Sequence, residues 1–308
     1  MSIETLDTTT GNWVLIRCDS CGQYLERQPG QPWRCRLQGT ARAYIDHQGW
    51  TRSAQGVICS ECMSGTSANV AWIDGKLLGF DLETTGVNTQ EDLPVSYSLL
   101  YYDKGERIKV AGGIINPGRE IPQEAIQVHG ITNERAQSEG RDLGEVIQEI
   151  VGEIIEAGKN NTPIVGMNVS YDLKMMEACA ERSLGLSLTD IGWRGPVIDI
   201  LVIDRHFDKY RKGSRKLVDL CQQYRVSTST LHDAQNDVEA TVQVLFKQYE
   251  DFGELAEMSI ETLYERQQDW HREWAENYSS YRVATGKDPL SELDMCWPVG
   301  QRPKQKNI

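Results

Sequence analysis

An α/β fold, a mixed sheet flanked by helices, is what the sequence predicts for residues 71–250, with a small cysteine-bearing module ahead of it (1–70) and a helical extension and tail behind (251–308). Three observations carry the prediction. The first is a meander: Leu77-Leu-Gly-Phe-Asp-Leu82 is an apolar run broken by one acid, and Val95–Tyr102 and Ile108–Ile115 follow as strand-like segments joined by short turns. The second is the recurrence at three and four of Leu143, Val146, Ile147, Ile150, Val151, Ile154 and Ile155, the mark of a helix with one buried face. The third is alternation: strand Pro163–Met167, helix Val169–Leu184, strand Pro196–Ile200, then helices over Lys216–Tyr224 and Ala234–Tyr249. The order βββαβαβαα is that of a mixed sheet with helices on its faces.

The flanks differ in composition. Residues 1–70 are rich in Gly, Gln, Arg and Trp, and end in the small-residue stretch Met63–Asn69, which reads as a linker. Beyond residue 250, Ile260, Leu263, Trp270, Trp274 and Tyr281 recur near heptad spacing, and such a stripe is expected to pack on the parent domain in preference to binding a partner. The tail Arg302–Ile308 is polar and expected to be disordered.

No apolar run approaches a membrane span, and the start, Met1–Thr10, is polar, so the expectation is a soluble cytoplasmic protein with no membrane partner. A formal net charge of −13 excludes a protein that coats nucleic acid through a general basic surface. One local cluster, Arg205, Lys209, Arg211, Lys212, Arg215 and Lys216 with Asp204 and Asp208 among it, reads equally as a phosphate track or a solvated face. Of eight cysteines, Cys18, Cys21, Cys59 and Cys62 form two C-x-x-C pairs, which suits a reducing compartment and a metal site.

The chemistry gathers in Gly79-Phe-Asp-Leu-Glu-Thr-Thr-Gly86, where a strand ends in two acids. Side chains at i and i+2 leave a strand on the same face, so Asp81 and Glu83 point to one place. Two carboxylates there resist ionising together; a divalent cation resolves the conflict, and hard oxygen ligands suit Mg²⁺ or Mn²⁺. A bare D-x-E also fits a turn-capping acid beside a solvated one, so further acids are required. Asp172 opens a helix whose Met176 and Cys179 share its face, and Asp237 lies beside Val238 and Thr241 on the domain's last helix; each alone fits an ordinary helix acid. His232, five residues before Asp237, has the proton affinity to accept a proton from a water near neutrality.

Taken together, these residues resemble the DEDDh, or DnaQ-like, 3′→5′ exonucleases, which include polymerase proofreading subunits. The first motif is F-D-L-E-T-T-G at Phe80–Gly86, the second N-x-x-Y-D at Asn168–Asp172, and the third H-x-A-x-x-D at His232–Asp237; Val128-His-Gly-Ile-Thr132 and Ile115-Asn-Pro117 also match. Met167 and Tyr171 depart from the commoner His and Phe, and neither removes a ligand. The resemblance implies an RNase H-like fold and a two-metal mechanism with two Mg²⁺ or Mn²⁺ ions held by Asp81, Glu83, Asp172 and Asp237, with His232 as general base. It also implies a terminal nucleotide cradled by Leu82, Thr84, His129, Gly130, Ile131 and Asn168. The expected products are 5′-mononucleotides released from nucleic-acid 3′ ends, with single-stranded DNA favoured and RNA the alternative. Asp199, in Val-Ile-Asp-Ile, reads as a helix cap.

In the amino-terminal module, Cys18-Asp-Ser-Cys21 and Cys59-Ser-Glu-Cys62 resemble zinc knuckles, so a structural, zinc-ribbon-like Zn²⁺ site is expected, with Cys35 as a spare thiol. Zinc would replace the apolar core so short a segment lacks. Its contact, nucleic acid or protein, stays open. A different class of function is also consistent with the layout: an adaptor that binds a protein partner through the zinc module or the C-terminal helix, with nuclease activity incidental. The intact acids and histidine weigh against it.

Overall fold

The computed structural model describes residues 71–227 and 234–300 in full, and the backbone of six short strands within 1–70. The chain divides into two compact units, Met1–Val70 and Ala71–Ile308. In the first unit, β1 (Ile3–Thr8) and β2 (Gly11–Ile16), β3 (Glu26–Gln28) and β4 (Gln31–Pro32), and β5 (Thr51–Ser53) and β6 (Gly56–Ile58) form three antiparallel pairs. The zinc expectation for Cys18, Cys21, Cys59 and Cys62, and that for Cys35, falls outside the described residues.

The second unit is built on a mixed six-stranded sheet. Its strands are β7 (Leu77–Thr84), β8 (Pro94–Asp103), β9 (Glu106–Asn116), the two-residue β10 (Arg141–Asp142), β11 (Ile164–Gly166) and β12 (Val197–Asp199). Their order across the sheet is β10-β9-β8-β7-β11-β12, with β7, β8 and β9 an antiparallel meander and β11 and β12 parallel to β7. A mixed sheet flanked by helices is thus what the hydrophobic pattern produces.

The twofold side-chain period of β7 sorts its residues between two cores. Leu78, Phe80 and Leu82 enter one, packed by the helices α3 (Leu143–Lys159) and α4 (Ser170–Leu184). On α3 it is Val146, Ile147, Ile150, Val151, Ile154 and Ala157 that are buried, behind an Asp142 cap whose carboxylate accepts the Glu145 N–H. Leu77 enters the opposite core with α5 (Ile200–Phe207), α6 (Leu217–Gln223), α7 (Ala234–Asp251) and the short α8 (Gly253–Glu257). Gly79, Asp81 and Glu83 share that second face.

Two further helices, α1 (Gln123–His129) and α2 (Asn133–Glu139), lie where the sequence predicts none. Each spans two turns and buries a single side chain, His129 and Ala136, so no apolar period announces them. Their boundary signals are nevertheless present: Gly130 sits at φ 71 after α1, where its N–H reaches Ile126 O, and Thr132 caps α2 by accepting the Arg135 N–H.

The C-terminal segment packs into this same unit. Helix α9 (Ile260–Ala284) buries Leu263, Gln267, His271 and Ala275, and a short α10 (Glu292–Met295) follows. The expected stripe is therefore rotated: Leu263 is inward, but Trp270 and Trp274 are half-buried and Tyr281 is 61% exposed. Polar residues take the inward positions because each meets backbone. Gln267 Oε1 accepts the Asp199 N–H (2.8 Å) and its Nε2 donates to Val197 O (2.9 Å), so one amide stands in for the strand that β12 lacks on its outer side. His271 Nε2 lies 3.2 Å from Asp294 O. No helix among the described residues is long and apolar enough to cross a membrane.

Candidate active site

Strand β7 outruns its parallel neighbour: β11 pairs with it at Leu78 and Gly79 and goes no further. A crevice therefore opens at the carboxyl end of β7, where ligands gather in sheets of this kind. The open N–H of Leu82 is taken by Asp172 Oδ1 at 3.0 Å, which fixes the start of α4 against the strand. On the other face of β7, α7 lies so close over Gly79 that a Cβ there would meet Val238 Cγ1 at 2.3 Å. That approach carries Asp237, one residue before Val238, over the two acids of the strand.

The result is a convergence of carboxylates. One ligand oxygen from each of Asp81, Glu83 and Asp237 lies within 4.8 Å of the others, and each residue is partly open to the crevice. Asp172 stands outside that trio, buried, with its carboxylate turned to the strand backbone. Burial, followed by the charges of Asp172, Glu83 and Asp237, pushes the Asp81 carboxyl well above its usual range. Burial does the same to Asp172, offset in part by the Leu82 N–H. A set of hard oxygen donors that resist ionising together fits a divalent cation, whose charge removes the repulsion.

The other expected residues surround this trio. Thr84 Oγ1 is bonded to Tyr171 Oη (2.7 Å), and Tyr171 Oη donates to Gly86 O (2.5 Å), so the phenol ties the second motif to the first. Asn168 takes a left-handed conformation, φ 58, that asparagine tolerates, and its N–H donates to Asp199 Oδ1 (2.9 Å). Asp199 also accepts the Leu201 N–H (3.0 Å), the helix-capping role read from the sequence. His129 and Ile131 line a cavity of about 300 Å³ with Glu83, Ser98, Arg135 and Ala234. There His129 Nδ1 accepts the Ile131 N–H (3.1 Å), and its buried Nε2 has no partner among the described residues. Burial lowers the His129 pKa, with the Thr84 backbone acting in the opposite sense. His232 lies outside the described residues.

Several contributors carry no local sequence signal. Arg119 donates to Thr85 Oγ1 (2.8 Å) and Asp92 Oδ1 (3.1 Å), and Arg182 Nη2 donates to Asp92 O (3.1 Å), together pinning the loop after β7. Both reach it from distant positions in the chain. Half of the basic cluster is spent internally: Arg211 and Arg215 converge on the fully buried Asp204, which also accepts from Tyr224 Oη (2.9 Å), and Lys209 pairs with Glu273.

The class that fold and site define is an α/β protein with a mixed sheet and carboxylates clustered at the end of its first core strand. The chain belongs to the RNase T exonuclease family, the DnaQ-like 3′→5′ exonucleases, whose family pattern matches residues 78–245, more than half of its length. Among curated relatives, the PolC-type DNA polymerase III of Latilactobacillus sakei is 30% identical over 171 residues, and that of Bacillus subtilis 28% over 178. The matches cover 54% and 57% of this chain but 11% of either polymerase, so the chain corresponds to about a tenth of those relatives. In fold, it resembles exonuclease I (TM-score 0.53, 22% identity, 59% of this chain and 42% of that one). A structure of Escherichia coli exonuclease I in complex with a dA16 oligonucleotide matches similarly, with TM-score 0.52, 21% identity and the same coverage.

Proposed function

We propose that the chain hydrolyses single-stranded DNA from its 3′ end and releases 5′-mononucleotides. The observation that carries this reading is the convergence of Asp81, Glu83 and Asp237 within 4.8 Å, with Asp172 beside them, at the rim of the cavity lined by His129 and Ile131. Asp81, Glu83, Asp172 and Asp237 would hold two Mg²⁺ or Mn²⁺ ions. When bound, such ions supply Lewis-acid stabilisation of the phosphodiester and of the departing 3′ oxygen.

The chain's own groups do the rest. His232 takes the proton of the attacking water on an imidazole nitrogen. His129 offers Nε2 to the terminal nucleotide, while the backbone from Leu82 to Thr84, the Gly130-Ile131 turn and Asn168 orient it. The polymerase relatives and the oligonucleotide complex of exonuclease I support DNA as the polymer. In the amino-terminal unit, the spacing of Cys18, Cys21, Cys59 and Cys62 supports a zinc site, and one equivalent of zinc lost on Cys18→Ser with Cys59→Ser is the expected result of a metal assay.

The test follows 5′-labelled single-stranded DNA and RNA of one sequence, with Mg²⁺ or with EDTA. The expected result is a Mg²⁺-dependent ladder shortening from the 3′ end, faster on DNA, and slowed roughly 10³-fold or more by Asp81→Asn. A chain that shortens neither polymer overturns the reading, and a faster RNA ladder overturns the assignment of polymer.

A further inference from the structure

We infer that α9, the start of α4 and the last turn of α5 form a track for the part of the strand that lies 5′ of the cleaved end, a single-strand binding surface that extends beyond the family-matched residues 78–245. The inference rests on reading the chain as a 3′ exonuclease. Two cavities carry it. One, about 380 Å³, begins at Asn168 and Tyr171, beside the carboxylates, and reaches Lys174, Arg205 and Trp274. The other, about 450 Å³, is lined by the same Arg205 and Trp274 and continues past Trp270 to Tyr278. Their shared wall makes them one groove leading away from the acids.

Two cations in this groove make no direct ion pair among the described residues. Lys174 is only 7% exposed and makes no hydrogen bond or ion pair among the described residues. Arg205 lies over the Trp274 ring, 3.6 Å from its centroid, and likewise has no carboxylate partner there. The acids nearby are engaged elsewhere: Asp294 accepts from Ser291 Oγ (2.7 Å), Glu273 pairs with Lys209 (2.9 Å), and Asp199, whose charge acts on both cations, accepts the Asn168 and Leu201 N–H groups. In a chain of net charge −13, two sequestered, unpaired cations in one groove call for an anion from outside.

Flat rings accompany them. Trp274 and Tyr278 stack at 5.3 Å and 15°, and Tyr278 and Tyr281 at 6.3 Å and 20°. These residues recur at four and three along one face of α9, and Tyr278 and Tyr281 are open to solvent. Cations interleaved with exposed rings suit a single strand, whose phosphates meet the charges while its bases stack without being read. Continuity with Asn168 and Tyr171 then selects the strand already held at its 3′ end.

The experiment measures anisotropy of 5′-fluorescein oligothymidylates of two, four and twelve nucleotides on the full chain in Ca²⁺, with kcat and KM for the same oligomers in Mg²⁺. Affinity is expected to rise with length. Tyr278→Ala with Tyr281→Ala, both at exposed positions, should weaken the twelve-nucleotide strand about tenfold for each stacked base lost, and leave dinucleotide hydrolysis unchanged. Lys174→Gln should raise KM for the long strand and reduce the salt dependence of its binding by about 0.7 in log–log slope, with Lys174→Arg restoring both. Normal strand shortening with unmoved KM in every variant overturns the track and leaves the nuclease reading intact; so does equal loss on long and short substrates. Length-dependent binding without any cleavage overturns the nuclease reading and keeps the track, while a wild type that binds no strand overturns both.

Discussion

His271 shows how a single buried side chain makes stability depend on pH. Its ring is packed beneath α10 with Lys174 and Arg205 near it, and burial, with a further push from those two cations, lowers its pKa to about 4 despite the Asp294 carbonyl. The unfolded chain, with an ordinary imidazole, binds a proton below about pH 6.5, whereas the folded chain does so only near 4. Stability is therefore fully present above the unfolded pKa and falls as pH drops through that interval, by about 2 kcal/mol between pH 7 and pH 5. His129 and His206 lean the same way, so the expected measurement is a difference: urea unfolding at both pH values should show a smaller loss for His271→Gln than for the wild type. An equal loss in both would mean that His271 takes up no proton in that interval on unfolding. At this scale the sequence was informative where a period governs direction. Asp81 and Glu83 share a face because strands alternate, and Asp199 caps α5 because short acids do so. It was silent on Lys174, whose significance lies in being buried with no direct ion pair among the described residues, a property of its surroundings alone.

Among elements, the seating of α7 on β7 matters most for the carboxylates, and Gly79 controls it. A Cβ there would stand 2.3 Å from Val238 Cγ1 and 3.3 Å from Val242 Cγ2, so Gly79→Ala must lift the helix. The expected cost is about 1–3 kcal/mol of stability, together with loss of nuclease activity as Asp237 moves away from Asp81. Val238→Ala added to Gly79→Ala should recover part of both, and a double variant no better than the single one would show that the helix is not what moves. Elements with a long apolar period, such as β7 and α3, were legible in the sequence with small errors at their ends. The helices α1 and α2 were not, because two-turn helices that bury one residue each have no periodic face; only their cap residues, Gly130 and Thr132, mark them. For α9 the helix was legible and its orientation was not, since Gln267 and His271 turn inward to bond backbone while Trp274 and Tyr278 turn outward.

For the molecule as a whole, the family-matched residues 78–245 do not make a closed structure by themselves, because β12 ends the sheet with its outer side unpaired by any strand among the described residues. The α9 extension closes it. Gln267→Leu would leave the Asp199 N–H and Val197 O buried without partners, at about 1–3 kcal/mol each, and thermal or urea unfolding should register roughly that sum. A glutamine is a selective closure: it satisfies one donor and one acceptor and offers nothing to continue the ladder. A bare strand edge behaves differently, since it templates pairing with another chain. The consequence concerns colloidal behaviour. When α9 is loosened, by truncation or by Gln267→Leu, concentrated samples should form sheet-rich aggregates after a lag that shortens with protein concentration, and light scattering with thioflavin fluorescence would follow it. The wild type held under the same conditions should stay clear, its sheet edge covered by α9 and its backbone groups occupied by the Gln267 amide.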